Sequence, residues 1–559
     1  MISIVNTLFS KVYEYVSVII PSDLFLSAPA FSVYGPVVSP GPLHLCKGGK
    51  KMKHKRIALG AVLLAAALTA VSALSVSAGE EKTDLIVAIQ SDPSGLDPHM
   101  VTDRAAGIAI ENLYNTLFTY TDVYGEAAPS LVESYEISDD GLVYTMKLQE
   151  GVTFHSGNAM TAEDVKYSLE RIQTSGVRSN QVEKISSIEI QDENTIVITL
   201  ESQYAPFLTY LANPLNAIVE QAVVEANDGD LTNADAGSGP FKLVNWNVGS
   251  NVELEAFDGY WEEGKPIVKT LELRTISDET ARATALRNGE IDMIIDAMDI
   301  ELAVLNNAPG VVLETIPGTF WEYVGMNCES ESLKDAKVRE AIAYAIDRNA
   351  INMAVKMGNA TVLPEANVPP THEYYGGDEL FAVRDVDKAK ELLAQAGVEE
   401  GSISLKLTVG SDWQYQVDAA ALVKQMLADI GIECNIQAME SGTFFDGLNS
   451  GDFDLTVVGW SGFVDIDEYM YDLFTTNGAY NQQNYSNPQV DELLEKGRVT
   501  VDEEERKAIY KEAQKLIAED APMAFLYMNS FTVAMRDNVK GYTVQPTAAT
   551  IFMKNVYFE

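Results

Sequence analysis

The chain has 559 residues, a net charge of −43 at neutral pH and 47% apolar residues. That composition is globular, and the length requires at least two domains. So acidic a surface repels nucleic acid and anionic membranes, which excludes both as natural partners.

Basic residues gather at the front, where residues 1–78 hold Lys11, Lys47, Lys50, Lys51, Lys53, Lys55 and Arg56 against Glu14 and Asp23. From Met52 the chain reads MKHKRIALGAVLLAAALTAVSALSVSAGEE. A basic start, an apolar run and the small-residue site Val76-Ser77-Ala78 make 52–78 a secretory signal peptide, with cleavage expected after Ala78. An uncleaved anchor is the alternative, because the apolar run is near spanning length. No cysteine stands near the cleavage site to carry a lipid. Residues 1–51 have no helical or strand period and end in Lys47-Gly48-Gly49-Lys50-Lys51. A purine-rich ribosome-binding site read in frame gives such residues, so Met52 is expected to be the true start and 1–51 a translated leader.

Further along, 84–90 (DLIVAIQ) predicts a buried strand, and Ser91-Asp92-Pro93-Ser94-Gly95-Leu96-Asp97-Pro98 a turn-rich loop. Over 107–117, Ile110, Leu113, Tyr114 and Leu117 share a helical face, and 142–148 alternates like a half-buried strand. Thr161 to Asp164 opens a helix as a capping box with Asp in the third place, and Val165, Leu169 and Ile172 form its apolar stripe. Residues 338–347 have an amphipathic helical pattern, and Asp385 caps a helix over 386–396 closed by Gly397. Strands at 405–409, 432–438 and 455–458 are separated by helical segments, notably 419–430. Asn487-Pro488 supplies an N-cap and a first-turn proline to the next helix. This alternation implies α/β layering.

The stretch 451–472, GDFDLTVVGWSGFVDIDEYMYD, carries the most chemistry. Its strand stops at Gly459-Trp460-Ser461-Gly462, where two glycines flank a broad apolar face with one N–H donor. Asp465 and Asp467 follow, interleaved with Phe463, Ile466, Tyr469 and Tyr471. The pattern suits one wall of a ligand cleft, and it suits equally a core tryptophan with solvated acids. Behind the expected cleavage site only His99, His155 and His372 remain, without metal-ligand spacing, and Cys328 and Cys434 are far apart. No metal and no cofactor is therefore expected. Asp465, Asp467 and Asp472 lack the glycine and closing Glu of a calcium loop. Gly459-Trp460-Ser461-Gly462 is not a G-x-S-x-G elbow, and Ser461 has no sequence-evident base. A glycosidase pair of carboxylates need not be close in sequence, so a secreted hydrolase stays as the enzymatic alternative.

The order of the segments is more specific than any one of them. Glu150–His155, Gly157 and Thr161–Val165, following the strand, resemble the Gly-Val-x-Phe-His-x-Gly and Thr-Ala-Glu-Asp-Val pattern of family 5 solute-binding proteins of bacterial ABC importers. The resemblance continues in order through nearly all of 84–545. It takes in Gly237-Ser238-Gly239-Pro240-Phe241, Tyr260-Trp261 with Lys265-Pro266, and Arg282 with Leu286, Asn288-Gly289 and Ile291-Asp292. Asp335, Val338-Arg339, Ala345-Ile346-Asp347-Arg348 and Asn484-Tyr485-Ser486-Asn487-Pro488 complete it.

The resemblance implies an α/β, two-lobed periplasmic-binding-protein fold of class II type, with an extra subdomain inserted in lobe I and a ligand cleft between the lobes. Lobe I would span 79–320 and lobe II 321–524, with 525–559 returning to lobe I. The crossovers would fall near 317–327 and 522–529. It further implies an exported monomer, in the periplasm or at the outer face of the membrane, that closes on oligopeptides or dipeptides and delivers them to a permease. A nickel chelate, a sugar or an opine is the alternative ligand. In peptide-binding members an Asp three residues after the Gly-Trp pair holds the ligand's amino terminus; here that place is Phe463. Asp465 or Asp467 could replace it, with Trp460, Ser461, Gly462, Trp413, Trp321 and Asp92 as further pocket candidates. In an oxidising location Cys328 and Cys434 could form a disulfide.

Overall fold

A computed structural model describes residues 82–121, 127–370, 372–461 and 465–559. The expected leader, signal peptide and cleavage site, together with Gly462 and Phe463, lie outside the described residues. Among the described residues no helix is long and apolar enough to cross a membrane.

One large mixed sheet runs through the molecule. At one end Ile403–Gly410 pairs in parallel with Ile432–Met439 and with Leu455–Ser461. At the other end Asp84–Ile89 lies parallel to Thr270–Thr275 and Met293–Ile294, and Thr270–Thr275 pairs antiparallel with Asn251–Ala256. Two long antiparallel strands, Val311–Met326 and Met523–Arg536, join the halves. They are in register from Val311↔Arg536 to Pro317↔Ser530, and resume at Trp321↔Met528. Two more residues are spent on the first strand than on the second, so the ribbon bulges and bends there. Gly318 sits at the bulge, where a Cβ would lie 2.8 Å from the Asn529 carbonyl oxygen.

Among the described residues the main apolar cores follow from this layout, with a smaller cluster around Leu286, Ile291 and Leu305 beside them. The first packs the helix Arg104–Leu113 on the sheet around Leu85, Val87, Leu271 and Val533. The second fills the other lobe around Val338, Leu405, Val423 and Val457, continued by a neighbouring cluster around Trp321, Tyr469 and Phe525. The third belongs to a separate four-stranded antiparallel sheet of Val132–Ile137, Val143–Leu148, Thr195–Leu200 and Ile185–Asp192. The helix Ala162–Ser175 covers that sheet, and Asp164 accepts the Thr161 N–H at 3.0 Å, as the capping pattern predicts.

Elsewhere the helices shift slightly from expectation. The helix expected over 107–117 starts at Arg104 because Asp103 accepts the Ala106 N–H, and it stops at Leu113 because Tyr114 is extended. The helix expected over 419–430 runs Gln414–Ala428. Asp385 and Asn487 cap Val386–Gln395 and Pro488–Val499 as read. Cys328 and Cys434 are free thiols, so the disulfide the sequence allowed is not formed. Burial pushes each thiol up to about 11.

The segment 237–239 shows why two of the family-like glycines are glycines. The Gly239 N–H donates to the Leu113 carbonyl at 2.9 Å, and the His155 N–H donates to the Gly237 carbonyl at 2.9 Å. The His155 ring bridges Asp235 Oδ1 and the Gly239 carbonyl at 2.7 and 3.0 Å. A Cβ on Gly237 would lie 1.9 Å from the Leu113 oxygen, a backbone atom held in a helix end. Gly237→Ala should therefore destabilise the protein by about 2 kcal/mol or more, read as a lowered urea midpoint. An unchanged midpoint would mean the loop yields freely.

Candidate functional site

Leu455–Ser461 carries Trp460 to the end of its strand, in register with Trp321 of the neighbouring strand. Gly459 precedes it because a Cβ there would meet the Phe320 ring at 2.4 Å and Glu322 Oε1 at 2.9 Å. Trp460 is half-buried, with its ring centroid 4.8 Å from that of Tyr480. Its indole N–H has no acceptor among the described residues.

Trp460, Ser461 and Tyr480 form part of the wall of a cleft of about 950 Å³. The cleft lies at the bulge of the two long strands, where Gly318, Thr319, Phe320 and Asn529 make its floor. Arg104, Asp296 and Ala548 face it from one lobe, Lys356, Tyr415 and Asp472 from the other, and Gln181 and Tyr210 from the inserted subdomain. The volume suits a drug-sized or short-peptide ligand.

The aspartates after Trp460 have separate fates. Asp465 caps the helix Ile466–Phe474 by accepting the Asp467 N–H at 2.8 Å. Its oxygens also accept two bonds from Arg506, at 2.6 and 2.9 Å, and both side chains are buried. That pairing places Asp465 behind the wall. Asp467 does reach the wall, but it accepts from Arg498 Nε at 3.0 Å, Tyr510 at 3.2 Å and Tyr210 at 3.3 Å. Burial pushes its carboxyl up from the usual range, and the Arg498 charge only partly opposes that rise.

The other candidates sit away from the cleft. Trp321 is fully buried, against Phe525 and Tyr323 at centroid distances of 5.5 and 4.9 Å. Trp413 precedes the helix Gln414–Ala428 and stacks edge-on against Phe444 and Phe445. Asp92 accepts the Trp246 indole N–H at 3.2 Å, while Gln90, two residues earlier, lines the cleft.

The sequence reading weighed Asp472 only as part of a calcium loop and did not single out Arg104, Lys356 and Tyr480, all of which line the cleft. Asp472 lies on the same helix face as Glu468, four residues earlier, and that spacing was the only available signal. Its carboxyl is pushed up, first by burial, with the Arg498 charge opposing that rise, and no direct ion pair of its own is formed among the described residues. Most other wall acids have a basic partner: Asp299 has Lys356 at 2.7 Å, and Asp296 has Arg104 at 2.9 Å. Asp296 and Ala548, both bonded to Arg104, have left-handed backbones with φ of 58° and 63°. Such strain in non-glycine residues gathers where a site must be held rigid. Among the described residues no group of three or more His, Cys, Asp or Glu side chains is placed to hold a metal ion.

Two lobes on one hinge ribbon, closing around a cleft of this size, define an extracellular solute-binding protein. Residues 126–482 match the family described as bacterial extracellular solute-binding proteins, family 5 Middle, and the chain belongs to that family. It is 30% identical over 501 residues to the glutathione-binding protein GsiB of Shigella dysenteriae serotype 1, covering 87% of this chain and 97% of that one. Among solved structures it is similar to the ABC transporter-associated periplasmic binding protein DppA of Helicobacter pylori in complex with the peptide STSA. That match has 30% identity and a TM-score of 0.73, and covers 86% of this chain and 98% of DppA. It is also similar to AgaA of A. tumefaciens R10 in complex with agropinic acid, at 29% identity and TM-score 0.73, covering 85% and 99%.

Proposed function

We propose that the protein captures a short peptide, or a similar small solute, outside the cytoplasm and delivers it to the membrane permease of an ABC importer. No chemical step is involved. The observation that carries this reading is the cleft itself, about 950 Å³ and walled by both lobes at the bend of their connecting strands. The peptide bound by DppA and the glutathione named for GsiB support the peptide class. Asp472 takes the part the sequence reading gave to Asp465 or Asp467. It is a wall carboxylate with no direct ion pair among the described residues, on the same cleft as the tilted pair of Trp460 and Tyr480 rings. A ligand ammonium there gains a charge-assisted bond and a cation–π contact. The agropinic acid of AgaA, an opine, supports the second reading, a non-peptide solute.

A thermal-shift screen of the protein from Gly79 onward, against di- to hexapeptides, sugars, opines and metal chelates, tests both readings, because ligand that binds only the folded state raises Tm. Peptides are expected to give the shift. Asp472→Asn should weaken their binding roughly tenfold or more, the worth of one hydrogen bond to a charged group. A shift with opine or chelate and none with peptides would reject the peptide class. Peptide binding unaffected by Asp472→Asn would reject the anchor alone.

A further inference from the structure

The charge on the cleft wall is unbalanced. Among the described residues seven carboxyl groups line the cleft, against three cations, Arg104, Arg178 and Lys356. Each of those cations already has an acid in its neighbourhood. Arg104 gives Nε to Asp296 at 2.9 Å and Nη2 to the Ala548 carbonyl, and its Nη1 lies 3.7 Å from Glu111 Oε1. Lys356 Nζ lies 2.7 Å from Asp299 Oδ2. Arg178 and Glu468 act with opposite signs on the Tyr120 hydroxyl, which places that base and that acid in one neighbourhood.

The surplus of acid falls in two places, one on each lobe. On the second lobe it is Asp472, whose carbonyl accepts the Tyr480 N–H at 3.0 Å and so keeps that ring close by. On the first lobe the wall carries Asp103, Glu111 and Asp296 with one cation, Arg104. Asp103 accepts the Ala106 N–H at 2.9 Å and the Ser94 hydroxyl, neutral donors that leave its charge uncancelled. In a cleft with low-dielectric walls such a surplus focuses its field on whatever enters. Burial is the first cause that pushes the Glu111 and Asp472 carboxyls up, and a cation brought against them relieves that penalty. An anion gains less, because Arg104 and Lys356 are already engaged by wall acids. The net charge of −43 on the chain draws the same kind of solute toward the mouth.

We infer that the cleft selects cationic solutes: a peptide with a basic side chain, its ammonium at Asp472 and the side chain against the Asp103 and Asp296 wall. This rests on the peptide reading above and adds to it the charge of the ligand.

Titration calorimetry of the protein with three tripeptides tests it. The peptides are alanyl-lysyl-alanine and its counterparts with glutamine and with glutamate in the middle. The lysine peptide should bind roughly tenfold or more tighter than the glutamine one, with the glutamate peptide weakest. Salt at about 0.5 M should narrow that gap by screening. Asp296→Asn keeps the side-chain shape, and Asn tolerates the left-handed backbone found at that place. It should narrow the lysine-over-glutamine gap severalfold and leave the glutamine peptide bound almost as before. Equal binding of the lysine and glutamine peptides would overturn the charge preference and leave the peptide reading standing. A preference unchanged by both salt and Asp296→Asn would overturn the role given to the first-lobe wall. Binding of none of the three would overturn the peptide reading, and this inference with it.

Discussion

Replacing Glu322 with Gln should raise the stability of the protein at pH 8 and flatten its pH dependence. Glu322 is fully buried on the long strand Val311–Met326, and burial pushes its carboxyl up from 4.5 to about 8. Hydrogen bonds from Gln416 and Tyr415 and the charge of Lys356 only partly oppose that rise. The unfolded chain loses this proton near pH 4.5, whereas the folded protein keeps it to about pH 8. Stability contributed at low pH is therefore lost progressively between those two values and stays lost above the upper one. At roughly 1.4 kcal/mol per unit the window amounts to about 5 kcal/mol. Gln cannot ionise, and its amide can donate to Gln416 Oε1, a buried acceptor with no partner among the described residues. Urea midpoints of wild type and Glu322→Gln at pH 5 and pH 8 decide it. Parallel curves would mean that Glu322 is ionised throughout.

Arg506→Met should be the more damaging change. Its guanidinium holds Asp465 through two bonds, and its Nε donates to the Gly497 carbonyl at 3.0 Å. Removing it leaves a buried carboxylate uncompensated, a loss of about 3 to 5 kcal/mol. Asp465→Asn keeps the shape and one set of bonds, and should cost less, about 1 to 3 kcal/mol. Both losses appear in the ligand-free protein. If Asp465→Asn melted like the wild type and lost only ligand affinity, Asp465 would be a ligand anchor instead.

Much of the architecture could be read from the sequence, because the recurring segments are those that build it. Arg282 is buried in an ion pair with Glu301 at 2.7 Å. Arg348 spends its donors on the carbonyls of Phe525, Ala343, Ile346 and Phe381, and Asp347 caps its helix. Arg339 ties the carbonyls of Leu333 and Asp520. None of these side chains lines the cleft. The cleft is assembled from short pieces spread over the whole chain, with Arg104, Gln181, Tyr415 and Asp472 brought together only by folding. The local pattern could place Asp465 and Asp467 after the tryptophan. It could not show that arginines 41 and 31 residues further on would claim them. Which acid keeps its charge for a ligand is decided by tertiary neighbours, and no local periodicity encodes that.

The pairing of Met293–Ile294 with Met535 and Ala534 also sets a timetable. The first lobe places Asp84–Ile89 in mid-sheet early, yet the strand that closes its open side, and Val539, Met553 and Val556 that seal its core, come last from the ribosome. Until Met535 and Val539 to Val556 are made, the lobe has an unpaired sheet edge and an unfinished interior. A nascent chain in that condition stays threadable, which suits the proposed extracytoplasmic role.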